Sequence, residues 1–213
     1  VSGLFITIEG AEGVGKSTNI AFIRTLLTSL GIAHIATREP GGTPLAERVR
    51  TLLLDKDEEV MDSMTELLLM FAARRQHVEE LIRPALRKGQ WVVCDRFTDS
   101  TYAYQGGGRG LDRQEIETLE QLCLGDFRPD LILVLDLDTA SGMSRAMARA
   151  ELDRFEREDE AFFDRVRQVF LERARQGAPY HLIDAGQPLV DVQAQIRQVI
   201  VQLAKHRDTV RNG

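Results

Sequence analysis

The sequence predicts an α/β fold in which a five-stranded parallel sheet carries helices on both faces. Three features predict it. Five apolar runs of strand length alternate with helical patterns along the 213 residues, the mark of a parallel sheet with crossover helices. A glycine-rich octet, Gly10-Ala11-Glu12-Gly13-Val14-Gly15-Lys16-Ser17, joins the first apolar run to the first helical pattern. A later run, Trp91-Val92-Val93-Cys94, closes on Asp95, the form of a strand that turns a carboxylate toward a phosphate-bound metal.

The first strand spans Leu4 to Glu9, and the octet after it fits G-x-x-x-x-G-K-[ST]. Glycines at those positions allow a tight turn whose N–H groups point inward at phosphate oxygens. Lys16 then reaches the β- and γ-phosphates, and Ser17 can hold Mg²⁺. The helix that starts at Lys16 adds the positive end of its dipole. It runs to about Leu30, with Ile20, Ile23, Leu26 and Leu27 at helical spacing, and stops at Gly31.

A second strand, Ile32 to Ala36, ends in Thr37-Arg38-Glu39-Pro40-Gly41-Gly42-Thr43, which forbids regular structure. Ligands of open α/β sheets bind outside the carboxyl ends of the strands, so Arg38 belongs to the rim of the P-loop. A short helix, Leu45 to Leu54, is followed by a charged turn, Asp55 to Glu59. A long helix then runs from Asp62 to Lys88, kinked by Pro84 and stopped by Gly89. Its apolar face holds Leu67, Leu68, Met70 and Phe71. Arg74 and Arg75 follow one turn on, as readily a solvated face as a ligand-facing pair.

After Asp95 and Arg96, the stretch from Gln105 through Gly106, Gly107, Gly108 and Arg109 to Gly110 reads as a flexible, anion-friendly loop. Asp112 opens a helix to Leu124, and a fourth strand, Leu131 to Leu135, ends on Asp136, read as the cap of the next helix. Between Ser141 and Glu158, Arg145, Arg149, Arg154 and Arg157 lie among acidic residues. That mixture suits a solvated helical face, or a mobile lid at about 141–158 that carries arginines onto phosphates. A helix from Ala161 to Ala174, a strand from Tyr180 to Ile183 and a helix from Leu189 to Lys205 complete a single domain, with His206 to Gly213 as a frayed polar tail.

Composition narrows the function. With 43% hydrophobic residues the chain can bury a full core. A formal net charge of −6 argues against broad nucleic-acid binding, which needs a basic face. No run of eighteen apolar residues, no signal-like N-terminal pattern and no lipidation motif occur, so no membrane association and a cytoplasmic location are expected. Cys94 and Cys123 read as reduced, packed thiols, and none of the four histidines has metal-ligand spacing.

A P-loop says nucleotide, not reaction. A small-molecule kinase, an NTPase motor or switch, and a nucleotide-gated binding protein all compete. Arg38, Arg96 and the arginines of 141–158 are more cations than one triphosphate needs, which favours two phosphate-bearing substrates. A switch GTPase would also be expected to carry N-K-x-D, and none occurs.

Five blocks then carry a family resemblance: Ile8-Glu9-Gly10 through Lys16-Ser17, Thr37 through Thr43, Asp95-Arg96-Phe97, Ala103-Tyr104-Gln105-Gly106 and Asp153-Arg154-Phe155-Glu156. In order and spacing they resemble the bacterial thymidylate kinases, P-loop nucleoside monophosphate kinases. The resemblance implies γ-phosphoryl transfer from ATP to thymidine 5′-monophosphate (dTMP), with Mg²⁺ held at Ser17 and Asp95. ATP would meet Gly10, Ala11, Glu12, Gly13, Val14, Gly15, Lys16, Ser17 and Thr18. Arg38 and Arg96 would hold the acceptor phosphate, and Glu12 would approach the sugar 3′-hydroxyl. Phe71 would stack on thymine, Arg74 (or its neighbour Arg75) would reach O4, Thr101 and Gln105 would meet the other base atoms, and Tyr104 would pack near the sugar. Because Ala11, Glu12 and Val14 give the P-loop no arginine, the lid would supply the catalytic one: Arg149 first, Arg145 second, beside Lys16 and Asp95. A homodimer is also implied.

Overall fold

The computed structural model describes residues 3–55, 60–148 and 154–212, of which 207–212 are described as backbone. The five strands are β1 (Phe5–Glu9), β2 (His34–Arg38), β3 (Trp91–Asp95), β4 (Leu131–Asp136) and β5 (Tyr180–Asp184). They form one sheet in the order β2-β3-β1-β4-β5, parallel throughout. The chain fills one side of β1 with β3 and β2 and the other with β4 and β5. The carboxyl end of β1, from which the P-loop leaves, is therefore a switch point where ligands bind.

Strand alternation sends side chains to the two faces of the sheet. Ile6, Ile8, Val93, Leu133 and Leu135 meet Ile23 and Leu27 of α1 (Lys16–Ser29) and Val192, Ile196 and Ile200 of α9 (Leu189–Asn212). Phe5, Val92 and Cys94 face the other way, onto Val78, Ile82 and Phe97. Ile132 and Val134 meet Phe162, Phe163, Val166 and Phe170 of α8 (Glu160–Ala174). Among the described residues no helix is long and apolar enough to cross a membrane.

Several elements depart from the sequence reading. Strand β2 lies two residues later than expected and ends on Arg38, whose register partner is Asp95. The helix expected from Asp62 to Lys88 is three pieces: α3 (Ser63–His77), a π-helical turn (Val78–Ile82) and α4 (Arg83–Arg87). Pro84 has no N–H to close the ladder, and the widened turn precedes it. The glycine-rich stretch is no loop either. Beyond α5 (Thr98–Thr101), residues Tyr102–Gly108 form a second π-helical turn packed on α8. A Cβ on Gly108 would lie 2.4 Å from the Phe162 ring, and one on Gly107 2.7 Å from Val169, so these glycines serve close packing rather than flexibility.

Asp136 is not a helix cap. It accepts two hydrogen bonds from Arg167, at 2.8 and 3.0 Å. Asp138 caps α7 (Thr139–Met147) instead, through Ser141 N. The C-terminal helix continues through Asn212, past the expected fraying point. The remaining helices, α2 (Pro44–Leu54) and α6 (Arg113–Leu124), follow the expected spans to within a residue.

Candidate active site

The phosphate end is built mainly of backbone. Strand β1 is buried along its whole length and delivers Glu9 and Gly10 to the sheet edge. Gly15, in left-handed conformation, precedes α1 without any side-chain cap, which leaves the first N–H groups of that helix to a ligand. Lys16 is buried and donates to the carbonyls of Gly10 at 3.1 Å and Ala11 at 2.8 Å. Burial, with Arg96 close by, lowers its pKa against the opposing pull of Glu12, Asp95 and Glu9. Ser17 and Asp95 line the same cavity, and Asp95 Oδ1 is buried without a hydrogen-bond partner among the described residues. A hydroxyl and an unpaired carboxylate oxygen suit Mg²⁺, which takes one or two protein oxygens and completes its shell with phosphate and water. No cluster of three His, Cys, Asp or Glu that could hold a metal exists among the described residues.

Arg96 crosses the cavity floor. Its φ is 68°, the one positive value among the described non-glycine residues, and such strain persists only where surrounding contacts over-determine it. Here they do. Nη1 donates to Gly10 O at 3.0 Å and Ser100 Oγ at 3.1 Å, and Nη2 to Glu12 at 2.5 Å and the Tyr104 hydroxyl at 3.0 Å. Burial works against its charge, but Glu12, Tyr104 and Asp95 outweigh it and hold the guanidinium above its usual range. Glu9 braces the same turn from below, accepting from Phe97 N and Ser100 Oγ at 2.7 Å each. Burial, and after it the charge of Asp99, pushes the Glu9 carboxyl up to about 8.

The end opposite the P-loop is built of side chains. Arg74 is 3% exposed, and its Nε donates to Glu39 at 2.6 Å, Nη1 to Thr101 Oγ1 at 3.0 Å and Nη2 to Phe97 O at 3.0 Å. Its guanidinium lies over the rings of Phe71 and Phe97. Glu39 also meets His77 Nδ1 at 3.0 Å, whose Nε2 meets Thr37 Oγ1 at 2.7 Å. Gln105 donates from Nε2 to Glu66 at 2.7 Å. Glu66 is fully buried between Arg109, at 3.3 Å, and Arg154, at 2.6 Å.

One cavity thus gathers Glu12, Gly13, Gly15, Lys16 and Ser17 with Arg38, Asp95 and Arg96, and with Arg74, Thr101, Tyr104 and Gln105. Other expected site residues stand apart. Gly10, Ala11, Val14 and Thr18 support the loop without facing the cavity, and Phe71 is core, packed with Leu67, Tyr102 and Ile116. Met70 occupies the wall where Phe71 was expected, because Phe71 turns into the core, its ring under the Arg74 guanidinium. Arg75 points away, donating to Cys123 O at 2.8 Å and pairing with Glu79. Arg145 sits exposed on α7, off the cavity wall. Arg149 and residues 56–59 of the charged turn lie outside the described residues. Arg154, expected to join the lid arginines on phosphate, is committed to Glu66 and to Leu53 O.

Comparison with known proteins decides the family. The family model described as thymidylate kinase matches residues 8–196. The chain belongs to the thymidylate kinase family. It is 58% identical to the thymidylate kinase of Pseudomonas savastanoi pv. phaseolicola, over 97% of this chain and 99% of the relative. Over 94% of this chain and 98% of the relative, it is 56% identical to that of Teredinibacter turnerae. The crystal structure of thymidylate kinase from Ehrlichia chaffeensis superposes with a TM-score of 0.74 at 33% identity, covering 94% and 99% of the two chains. The P-loop kinase fold and the ATP-dependent phosphotransferase class expected from the sequence are those of this family.

Family membership explains the cations but not their supports. Glu39, Glu66, His77, Ser100 and Phe155 were not singled out as site residues. One signal was available: Glu66, Met70, Arg74 and His77 fall on the same helical stripe as Leu67 and Phe71, and a charge on a buried stripe must find a partner. Phe155, which meets the Tyr104 ring edge-on at 5.9 Å, had only its place beside Arg154.

Proposed function

We propose that this cavity is a two-substrate site in which ATP lies on the P-loop and dTMP spans from Arg96 to Arg74. The chain transfers the ATP γ-phosphoryl group to dTMP, releasing dTDP and ADP, as in its family. A dTMP phosphate oxygen attacks the γ-phosphorus while the bond to the β-bridging oxygen breaks and ADP leaves. That transition state is loose, so positioning and charge stabilisation supply most of the catalysis.

Lys16 exchanges the carbonyls of Gly10 and Ala11 for the β- and γ-phosphates, whose charge favours its ammonium form. Arg96, fixed by four contacts, and Arg38, half-exposed and paired with Glu47 at 2.9 Å, hold the acceptor phosphate. Glu12, steered by Arg96 and Tyr104, accepts from the sugar 3′-hydroxyl. Ser17 and Asp95 would hold Mg²⁺, which would neutralise phosphate charge. Residues 141–158 act as the lid, with Arg149 as the arginine that meets the transferring group and Arg145 as its alternate. Exposed Leu68 on α3 and Leu122 on α6 support a homodimer, and the location is cytoplasmic.

The observation that carries this reading is one cavity with two chemically different ends: clustered cations beside a P-loop, and a buried Arg74 beside Gln105. Turnover measured side by side with dTMP, dUMP and thymidine tests it. ADP release is expected with dTMP, to a lesser degree with dUMP, and not with thymidine. ATP binding without acceptor-dependent release would make the chain a nucleotide-gated binding protein instead.

A further inference from the structure

The base end presents a fixed pattern of donors and acceptors, and two buried carboxylates set it. Glu39 and Glu66 are 4% and 0% exposed and lie on different elements, the loop after β2 and helix α3. Each holds one side chain of the cavity wall. We propose that Glu39 and Glu66 are positioning residues that make this wall complementary to thymine and anti-complementary to cytosine. The proposal rests on the dTMP reading above and extends it to two carboxylates that act through Arg74 and Gln105.

The hydrogen-bond network around the Gln105 amide fixes which end is O and which is N. Glu66 is flanked by the guanidiniums of Arg109 and Arg154, and a carboxylate so placed accepts hydrogen bonds. The amide end facing it must therefore be Nε2, as found at 2.7 Å. That leaves Oε1 for the cavity, and among the described residues no donor reaches it. The wall thus offers an acceptor where Gln105 stands.

Arg74 supplies the opposite character. Three of its five N–H groups are taken by Glu39, Thr101 and Phe97 O, which leaves two on a guanidinium that lines the cavity. Glu39 is itself held from its second oxygen by His77, so the Glu39–Arg74 pair cannot rotate freely. Thr101 binds Arg74 and stands one helical turn before Gln105. Donor and acceptor therefore line the same cavity, with Thr101 between them. Thymine and uracil present O4, an acceptor, next to N3–H, a donor. Cytosine presents an amino donor next to a bare N3 acceptor, so both contacts are reversed. A site built to make a buried hydrogen bond rejects a ligand that leaves it unmade far more strongly than one that merely lacks a methyl group.

The test uses isosteric acceptors. dTMP and 5-methyl-dCMP differ only in this edge, whereas dTMP and dUMP share the edge and differ in the methyl. In the wild-type chain kcat/KM for dTMP is expected to exceed that for 5-methyl-dCMP by roughly 10³-fold or more. Glu66→Gln lets the Gln105 amide turn over, and the ratio is expected to fall at least about tenfold. The loss should lie chiefly in KM for dTMP, with the dTMP-to-dUMP ratio held within about twofold. Glu39→Gln should shrink the same ratio through Arg74. A variant in which both ratios fall together, or neither moves, overturns the proposal, because a merely structural role would not separate them. Should either variant fail to fold, the wild-type ratio decides alone: equal use of dTMP and 5-methyl-dCMP overturns it. Absence of turnover with dTMP itself would instead remove the functional reading on which the proposal rests.

Discussion

At the phosphate end of the cavity the ligand-facing groups are mostly main chain: the N–H groups around Gly13 and Gly15, the uncapped start of α1, and Lys16 resting on two loop carbonyls. At the proposed base end they are side chains two partners deep: Arg74 and Gln105 backed by Glu39 and Glu66, which are backed in turn by His77 and by Arg109 and Arg154. A backbone cradle is fixed by local turn geometry. A side-chain lattice recognises shape and polarity, but each member depends on a partner distant in sequence, as Gln105 does on Glu66 across 39 positions.

The contrast can be tested from its largest expected effect downward. Arg149→Ala removes the proposed transition-state cation and is expected to lower kcat on the order of 10³-fold while ATP binding changes little. A coupled assay that shows turnover within about tenfold of wild type assigns that role elsewhere, with Arg145 next. Arg74→Ala should weaken dTMP binding by roughly 10²-fold and leave ATP affinity nearly intact, because it strips the base end alone. Arg75→Ala, whose contacts are exposed, should change neither beyond about twofold. Calorimetric titration of both ligands separates the two, and equal loss of both in Arg74→Ala would make that residue a fold element.

Smaller effects probe the supports. Gly42 has a φ of +87°, and a Cβ there would lie 2.3 Å from His77 Nε2. Gly42→Ala is therefore expected to cost about 1–3 kcal/mol of stability, read from the urea midpoint, and to raise KM for dTMP more than KM for ATP. The smallest expected effect is a pH dependence beneath the phosphate end. Glu9 has its carboxyl raised to about 8 in the folded chain, against about 4.3 when unfolded. The folded state binds the extra proton between those values. This group's contribution is thus complete below the unfolded value and is lost as pH rises through about 8. Glu9→Gln should flatten that part of the stability profile between pH 5 and 8, and an unchanged slope would place the titration in another group.

How much was legible follows the same division. The P-loop, Asp95 closing β3 and Arg38 on the rim could be placed because each rests on a short motif at the end of a strand. Arg74 and Gln105 can be named through family likeness, yet on the α3 stripe Met70 rather than Phe71 faces the cavity. Adjacent positions on a helix are about 100° apart, and only the packing of α3 against its neighbours fixes which of them points inward. The glycine run after Gln105, expected as a loop, is helical for a related reason. Glycine marks freedom in an isolated chain and close contact in a packed one, and only α8 lying against Gly107 and Gly108 tells which applies.

The sequence by itself determined what depends on neighbours in the chain: five apolar strands alternating with helices, the phosphate loop, its lysine and the carboxylate opposite. Tertiary structure alone decided what depends on residues tens of positions apart: the left-handed Arg96 tied to Gly10 and Glu12, and the buried carboxylates that hold Arg74 and Gln105. The physical reason is that turn and strand geometry are governed by local steric and hydrogen-bonding rules. The cost of burying a charge is met by whichever partner the fold brings to it.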